Sequence, residues 1–158
     1  MTCGSVMWPT PTTLTPETTI QEALQKILQV RVRSLPVVDP AGKVVGVFGV
    51  HTLLTLVMPK VVSLEHGLWN TAFMKDSIAD LKRRLGKVSQ ETVSRHMRTR
   101  FEVVHPDSPL THTVALLHQG HDSIPVVDRG SGALLGVLTY WHVLDAMQGG
   151  PGGGGAQD

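Results

Sequence analysis

The apolar positions of this chain fall into one pattern that is written twice. Ile20, Leu24, Ile27 and Leu28 recur at helical spacing, and Thr18 or Thr19 is placed to cap the first turn. Two β-branched runs follow at 35–38 and 44–48, joined by the turn composition Asp39-Pro40-Ala41-Gly42-Lys43, and predict a hairpin. A closing helix is expected over 52–57. In the second half Leu110, Val114 and Leu117 share one helical face behind Ser108 in the capping region and Pro109 in the first turn. A second hairpin then turns at Asp128-Arg129-Gly130-Ser131-Gly132, and a last helix is expected over 141–147. Short strands at 12–14 and 102–104, each halted near a proline, open the two copies.

The match extends to the residues themselves. Ser34-Leu35-Pro36-Val37-Val38-Asp39 returns about ninety positions later as Ser123-Ile124-Pro125-Val126-Val127-Asp128. Thr15-Pro16-Glu17-Thr18 matches His105-Pro106-Asp107-Ser108, and Met7 matches Met97. The order β-α-β-β-α, twice, defines an α/β (α+β) fold. Neither copy is large enough to cover both faces of its sheet, so the two should pack together. The expected units are a first repeat at 6–58, a helical connector at 59–93, a second repeat at 94–147 and a disordered glycine-rich tail at 148–158. Within the connector, 74–85 reads as a helix with Ile78, Leu81 and Leu85 on one face. Nearby Leu68, Trp69 and Phe73 make partner docking an open alternative to a packed connector.

Composition narrows the function classes. Of the 158 residues 41% are hydrophobic and only 17% charged, and the net charge of +1 gives no bulk attraction to nucleic acid or to a membrane surface. Eight histidines would make the chain more basic on mild acidification. The lone cysteine, Cys3, is expected in a flexible start, where it can form no internal disulfide. There is no apolar run of the roughly 18 residues a membrane span needs, and no secretory signal pattern. A cytoplasmic protein without direct membrane insertion is the expectation.

The paired Pro-Val-Val-Asp hairpins, the glycine step into each closing helix and the proline after each first strand together resemble the CBS-domain family, named for cystathionine β-synthase. The likeness covers roughly 6–58 and 94–147. It implies a pseudo-twofold pair with two clefts between the copies, holding AMP, ADP, ATP or S-adenosylmethionine as a regulatory ligand, and a homodimer. Family sites use Gly-h-h-Thr/Ser-x-x-Asp at the start of the last helix, with the hydroxyl near phosphate and the Asp on ribose. Here the second copy reads Gly136-Val137-Leu138-Thr139-Tyr140-Trp141-His142, keeping Thr139 but replacing the Asp with His142. The first reads Gly46-Val47-Phe48-Gly49-Val50-His51-Thr52, with both polar positions changed.

By the same resemblance a nucleotide site would use Thr139, His142, Arg100, Phe101, His121, Asp122, Ser123, Ile124 and Pro125. Phosphates would lie near Thr139 and Arg100, ribose near His142, and adenine beside Ser123 and Ile124. A second, weaker site would use Thr12, Thr13, Arg33, Ser34, Leu35, Pro36 and Thr52. Arg31 and Arg33 could pair with phosphate there.

Three other readings compete. His118-Gln119-Gly120-His121 is an HxxH pair, with His105 and His112 nearby, but Gly120 should end the helix and separate the two imidazoles. No metal site and no required cofactor are expected. The phosphate loop of Gly-x-x-x-x-Gly-Lys-Ser/Thr type and the Gly-x-Ser-x-Gly elbow are both missing, so no catalytic residues and no enzymatic activity are expected. A ligand-free dimerisation module that docks a protein shares the same fold and stays open. A sensor would act on a partner enzyme or transporter in another chain.

Overall fold

β-Branched residues alternating across a pleat form both hairpins where the sequence predicts them. The computed structural model describes residues 1–58 and 77–149. In it β1 (Ser34–Val38) pairs antiparallel with β2 (Val44–Gly49), and β3 (Ser123–Val127) with β4 (Leu134–Thr139). Leu35 stands opposite Phe48 and Ile124 opposite Leu138, all four fully buried. A bulge shifts each register at the same place, between Val37 and Val38 and between Val126 and Val127. The turns are held by their aspartates: Asp39 Oδ1 accepts from the N–H of Ala41 and Lys43, and Asp128 Oδ2 from the N–H of Gly130 and Ser131. The Ser131 N–H and hydroxyl, with the Gly130 N–H, hold the Asp128 carboxyl below its ordinary range.

Helix α1 (Ile20–Val30) starts from a capping box in which Thr19 accepts from the Glu22 N–H and Glu22 accepts from the Thr19 N–H. Ile20, Ala23 and Ile27 face the core, whereas Leu28 of the expected stripe is half exposed. The helix ends on Arg31 in the left-handed region, φ 56°, where the second copy has Gly120 at φ 103°. Helices α2 (Val50–Val57) and α3 (Ile78–Val88) follow. Helix α3 packs on α2, and Arg84 Nη1 donates to the Val57 carbonyl. Leu85 and Val88 reach the first core, but Ile78 is 68% exposed, because it sits in the first turn ahead of the packed part of the helix. Residues 68, 69, 73 and 74 of the expected connector motif and helix lie outside the described residues, as does the tail from 150.

The short α4 (Val93–His96) leads into the second copy, followed by α5 (Leu110–His118) and α6 (Tyr140–Met147). Ser108 does not cap α5. Its hydroxyl accepts from the His105 N–H, closing the turn before the helix, and Pro109 takes the cap position. The buried face of α5 is Thr113 with Leu116, flanked by Leu110 and Leu117, and Val114 is exposed. Thr113 displaces Val114 from the core because Cys3 lies against it, Sγ to Oγ1 3.0 Å. Cys3 is therefore not in a flexible start. It is fully buried in the turn Cys3–Ser5, where its backbone N–H donates to the Ser108 carbonyl.

The expected opening strands shrink to single parallel bridges, Leu14 to Val37 and Val104 to Val126. Pro9, Pro11 and Pro16 leave the first segment too few N–H donors for a ladder. What the segments before these bridges do instead is exchange between the copies. Trp8 bridges to Val137 in the second sheet, and Arg98 to Val47 in the first, each through two backbone hydrogen bonds. Cys3 and Val6 thus complete the second core, while Val93 completes the first. Each such aliphatic side chain contributes roughly 1.5–3 kcal/mol of burial to the copy it does not adjoin in sequence. Gly46 and Gly136 admit this close approach: a Cβ at either would lie 2.5 Å from the sulfur of Met97 or Met7.

Candidate ligand site between the repeats

The two copies meet where β1 approaches β3, and the residues before each hairpin proline touch their own counterparts. Ser34 Oγ and Ser123 Oγ are 2.6 Å apart, and Arg33 Nη1 lies 3.3 Å from Asp122 Oδ1. At the hairpin tips Leu134 N–H donates to the Gly42 carbonyl. Residues expected in two separate sites are thereby brought together at one pseudo-twofold contact. Arg33 is spent partly on Asp122, although at 60% exposure of its side chain that pair is weak.

The exchanged segments place the remaining polar candidates. Thr10, Thr12 and Thr13 lie on the crossing from Trp8, tied to the second sheet, to Leu14, tied to the first. Thr99, Arg100 and Phe101 lie on the reverse crossing from Arg98 to Val104. Lys26 Nζ donates to the Thr13 carbonyl and steadies the first of these. Arg100 is exposed, Phe101 and His121 half-buried. Ile124 and Leu35 are core residues with no exposed surface, and Pro125 and Pro36 are buried beside them, so these four offer a ligand little side-chain surface.

The start of the closing helix differs between copies. Thr139 stands opposite Ser123 in the β3–β4 register and is the residue before α6. Its backbone N–H donates to His142 Nδ1 at 3.1 Å, and its hydroxyl lies 3.0 Å from the same nitrogen. A ring nitrogen that accepts a backbone N–H carries no proton, so His142 is the neutral tautomer with its proton on Nε2. Burial agrees, lowering the imidazole below its ordinary 6.5, against an opposing pull from Asp145. The acceptor of His142 is thus used within the helix cap, and Nε2–H is the polar group of the ring that the cap does not use. In the sequence, Thr-x-x-His has the spacing of a capping box with His at the third helical position, the signal that points to this role.

In the first copy Gly49 occupies the place of Thr139, opposite Ser34. A Cβ there would collide with the Arg33 carbonyl oxygen and lie 2.6 Å from Ser34 Cβ. The loss of the hydroxyl therefore goes with a tighter backbone contact, closed further by the Val50 N–H donating to that same carbonyl at 2.8 Å. The hydroxyl of Thr52, a half-buried residue, makes no hydrogen bond among the described residues. Among the described residues no three of His, Cys, Asp and Glu are placed to share a metal ion. His118 and His121 are separated by Gly120 at φ 103°, and His105 Nδ1 is 3.0 Å from the Val127 carbonyl.

Comparison with known proteins agrees with the architecture. The family model described as "CBS domain" matches residues 3–59 and 93–149. A CBS-pair protein, CBSX2 from Arabidopsis thaliana, is 26% identical over 94% of this chain and 94% of its own, with a TM-score of 0.77. The structure of CBSX2 in complex with AMP is also 26% identical over 94% and 96%, with a TM-score of 0.70. A putative acetoin utilization protein (AcuB) from Vibrio cholerae shares the fold at 17% identity over 94% and 91%, TM-score 0.71. A search of curated proteins finds no match.

Proposed function

Because the chain belongs to the CBS-domain family as a tandem pair, we propose that it is a regulatory ligand-sensing module. It binds an adenosine-containing nucleotide between the repeats beside Thr139 and modulates a partner enzyme or transporter. The observation that carries this reading is the start of α6, where a buried threonine hydroxyl is retained at a helix N-terminus beside Ser123. Backbone N–H groups there favour an anion, and the His142 Nε2–H can donate to a ribose oxygen. Arg100, exposed on the crossing, supplies charge for phosphate in this reading, with Phe101, His121 and Asp122 as further residues of the site. AMP is the first ligand to test, since CBSX2 has been crystallised with it. The site at Thr12, Thr13, Arg33 and Thr52 is the weaker of the two, because Gly49 removes its hydroxyl.

The reading includes a non-catalytic, cytoplasmic homodimer built from repeats at 6–58 and 94–147 around the 59–93 connector, with no nucleic-acid role. No described helix is long and apolar enough to cross a membrane. The test is a thermal-shift titration with AMP, ADP, ATP and S-adenosylmethionine. A ligand that binds only the folded chain raises its melting temperature by mass action. Thr139→Ala should abolish most of that rise, and no shift at millimolar ligand would sink the sensor reading. A second reading, a ligand-free dimerisation or docking module, draws on Trp141, Leu144 and Met147, which stand exposed along α6. Nucleotide-insensitive melting together with a stable dimer in sedimentation would select it.

A further inference from the structure

His142 is 7% exposed, yet its ring ends on the backbone of its own helix start rather than on another element. Glu or Gln is the usual residue at the third position of a capping box, because either accepts the cap N–H at any neutral pH. Imidazole accepts only while Nδ1 is unprotonated. Protonation would turn that acceptor into a donor pointing at the Thr139 N–H, 3.1 Å away, leaving that N–H without its acceptor, and would force the Thr139 hydroxyl at 3.0 Å to turn from donor to acceptor.

We propose that His142 is a proton-sensitive cap, which holds the Thr139 backbone N–H and fastens the start of α6 when neutral, and releases that N–H when protonated. The first copy has no such device: Gly49 offers no side chain and Thr52 does not titrate. The inference stands whether or not a nucleotide binds, since it concerns the helix start alone.

The surroundings of the ring fit this role. The strand β4 that packs under α6 carries no titratable side chain, and α5, which packs beside it, carries His112 and His118, both exposed. Among the described residues no ion pair reaches the ring. The charge acting on it is Asp145, one turn along α6, which favours the imidazolium but is outweighed by burial. With the folded ring titrating below 6.5, the unfolded chain takes up the proton first. The stability held by the cap is complete above pH 6.5 and is lost as the pH falls from there through the folded ring's own titration.

Two ligand-free measurements test it. Nitrogen-detected NMR of the imidazoles should show His142 with a bare Nδ1 and a proton on Nε2 at neutral pH, and titrating below the ordinary 6.5. Denaturant midpoints taken from about pH 7 to about pH 5 should fall further for the wild type than for His142→Gln, which keeps an acceptor that does not titrate. The other seven histidines are common to both chains, so the difference isolates this ring. A proton on Nδ1 at neutral pH, or parallel midpoint curves, would overturn the proposal. Should the variant not fold, the NMR of the wild-type ring decides alone. Loss of AMP binding bears on the nucleotide reading and leaves this result untouched.

Discussion

At the scale of single residues the two copies differ most where their backbones are tightest. Gly49 and Thr139 hold the same position, but only the glycine lies so close to the start of β1 that a Cβ would meet the Arg33 carbonyl oxygen. Gly49→Ala should therefore cost about 2 kcal/mol or more in denaturant unfolding, since backbone, not a flexible side chain, must move. A neutral result would mean that the first cleft can open to accept a side chain. Arg31 is the converse case. It holds φ 56° where its counterpart is Gly120, and an L-residue in that region is strained by contact of its Cβ with the backbone. Arg31→Gly should raise stability by about 0.5–1 kcal/mol, the relief of strain less the added freedom of the unfolded glycine. A loss of stability would instead show that the arginine side chain makes up for its backbone.

At the scale of elements the exchanged lead-ins decide which changes are felt where. Val93 leads by sequence into the second copy but is fully buried in the first core, among Leu14, Ile20 and Phe48. Val93→Ala should cost about 2 kcal/mol and lower amide protection in α1 and β1 before β3 and β4. Protection lost first in the second hairpin would contradict this assignment. The same exchange explains what was legible in the sequence. Hairpins and closing helices could be read because their signals are local: β-branched runs, turn aspartates and apolar residues at helical spacing. The repeat itself and the pairing of Met7 with Met97 were equally visible. The destination of residues 3–8 and 93–98 was not, since no local pattern says which of two similar sheets a lead-in joins. The face of α5 was misread for that reason: Cys3, arriving from the other end of the chain, selects Thr113 over Val114. Of the candidate site, Thr139 and Ser123 could be placed from the repeat alone. The engagement of His142 with its own helix cap has only the Thr-x-x-His spacing as its sequence signal, and imidazole is not the usual residue there.

At the scale of the whole molecule, neither copy owns a complete core. The first lacks Val93 without the second, and the second lacks Cys3 and Val6 without the first. The sheets have two strands each, a size that is marginal without further packing. The backbone bonds of Trp8 with Val137 and of Arg98 with Val47 then have to break together with the Ser34–Ser123 contact when either half opens. The pair should unfold as one cooperative unit, with the slowest-exchanging amides of β1 and β3 opening at free energies equal to within about 1 kcal/mol. Native-state hydrogen exchange measures this directly. Distinct plateaus for the two hairpins would mean that each copy is stable alone and that the crossings are mere linkers. A single plateau would mean that a ligand seated beside Thr139 stabilises both halves at once, which is what a sensor needs if a partner touching the first repeat is to register an event at the second.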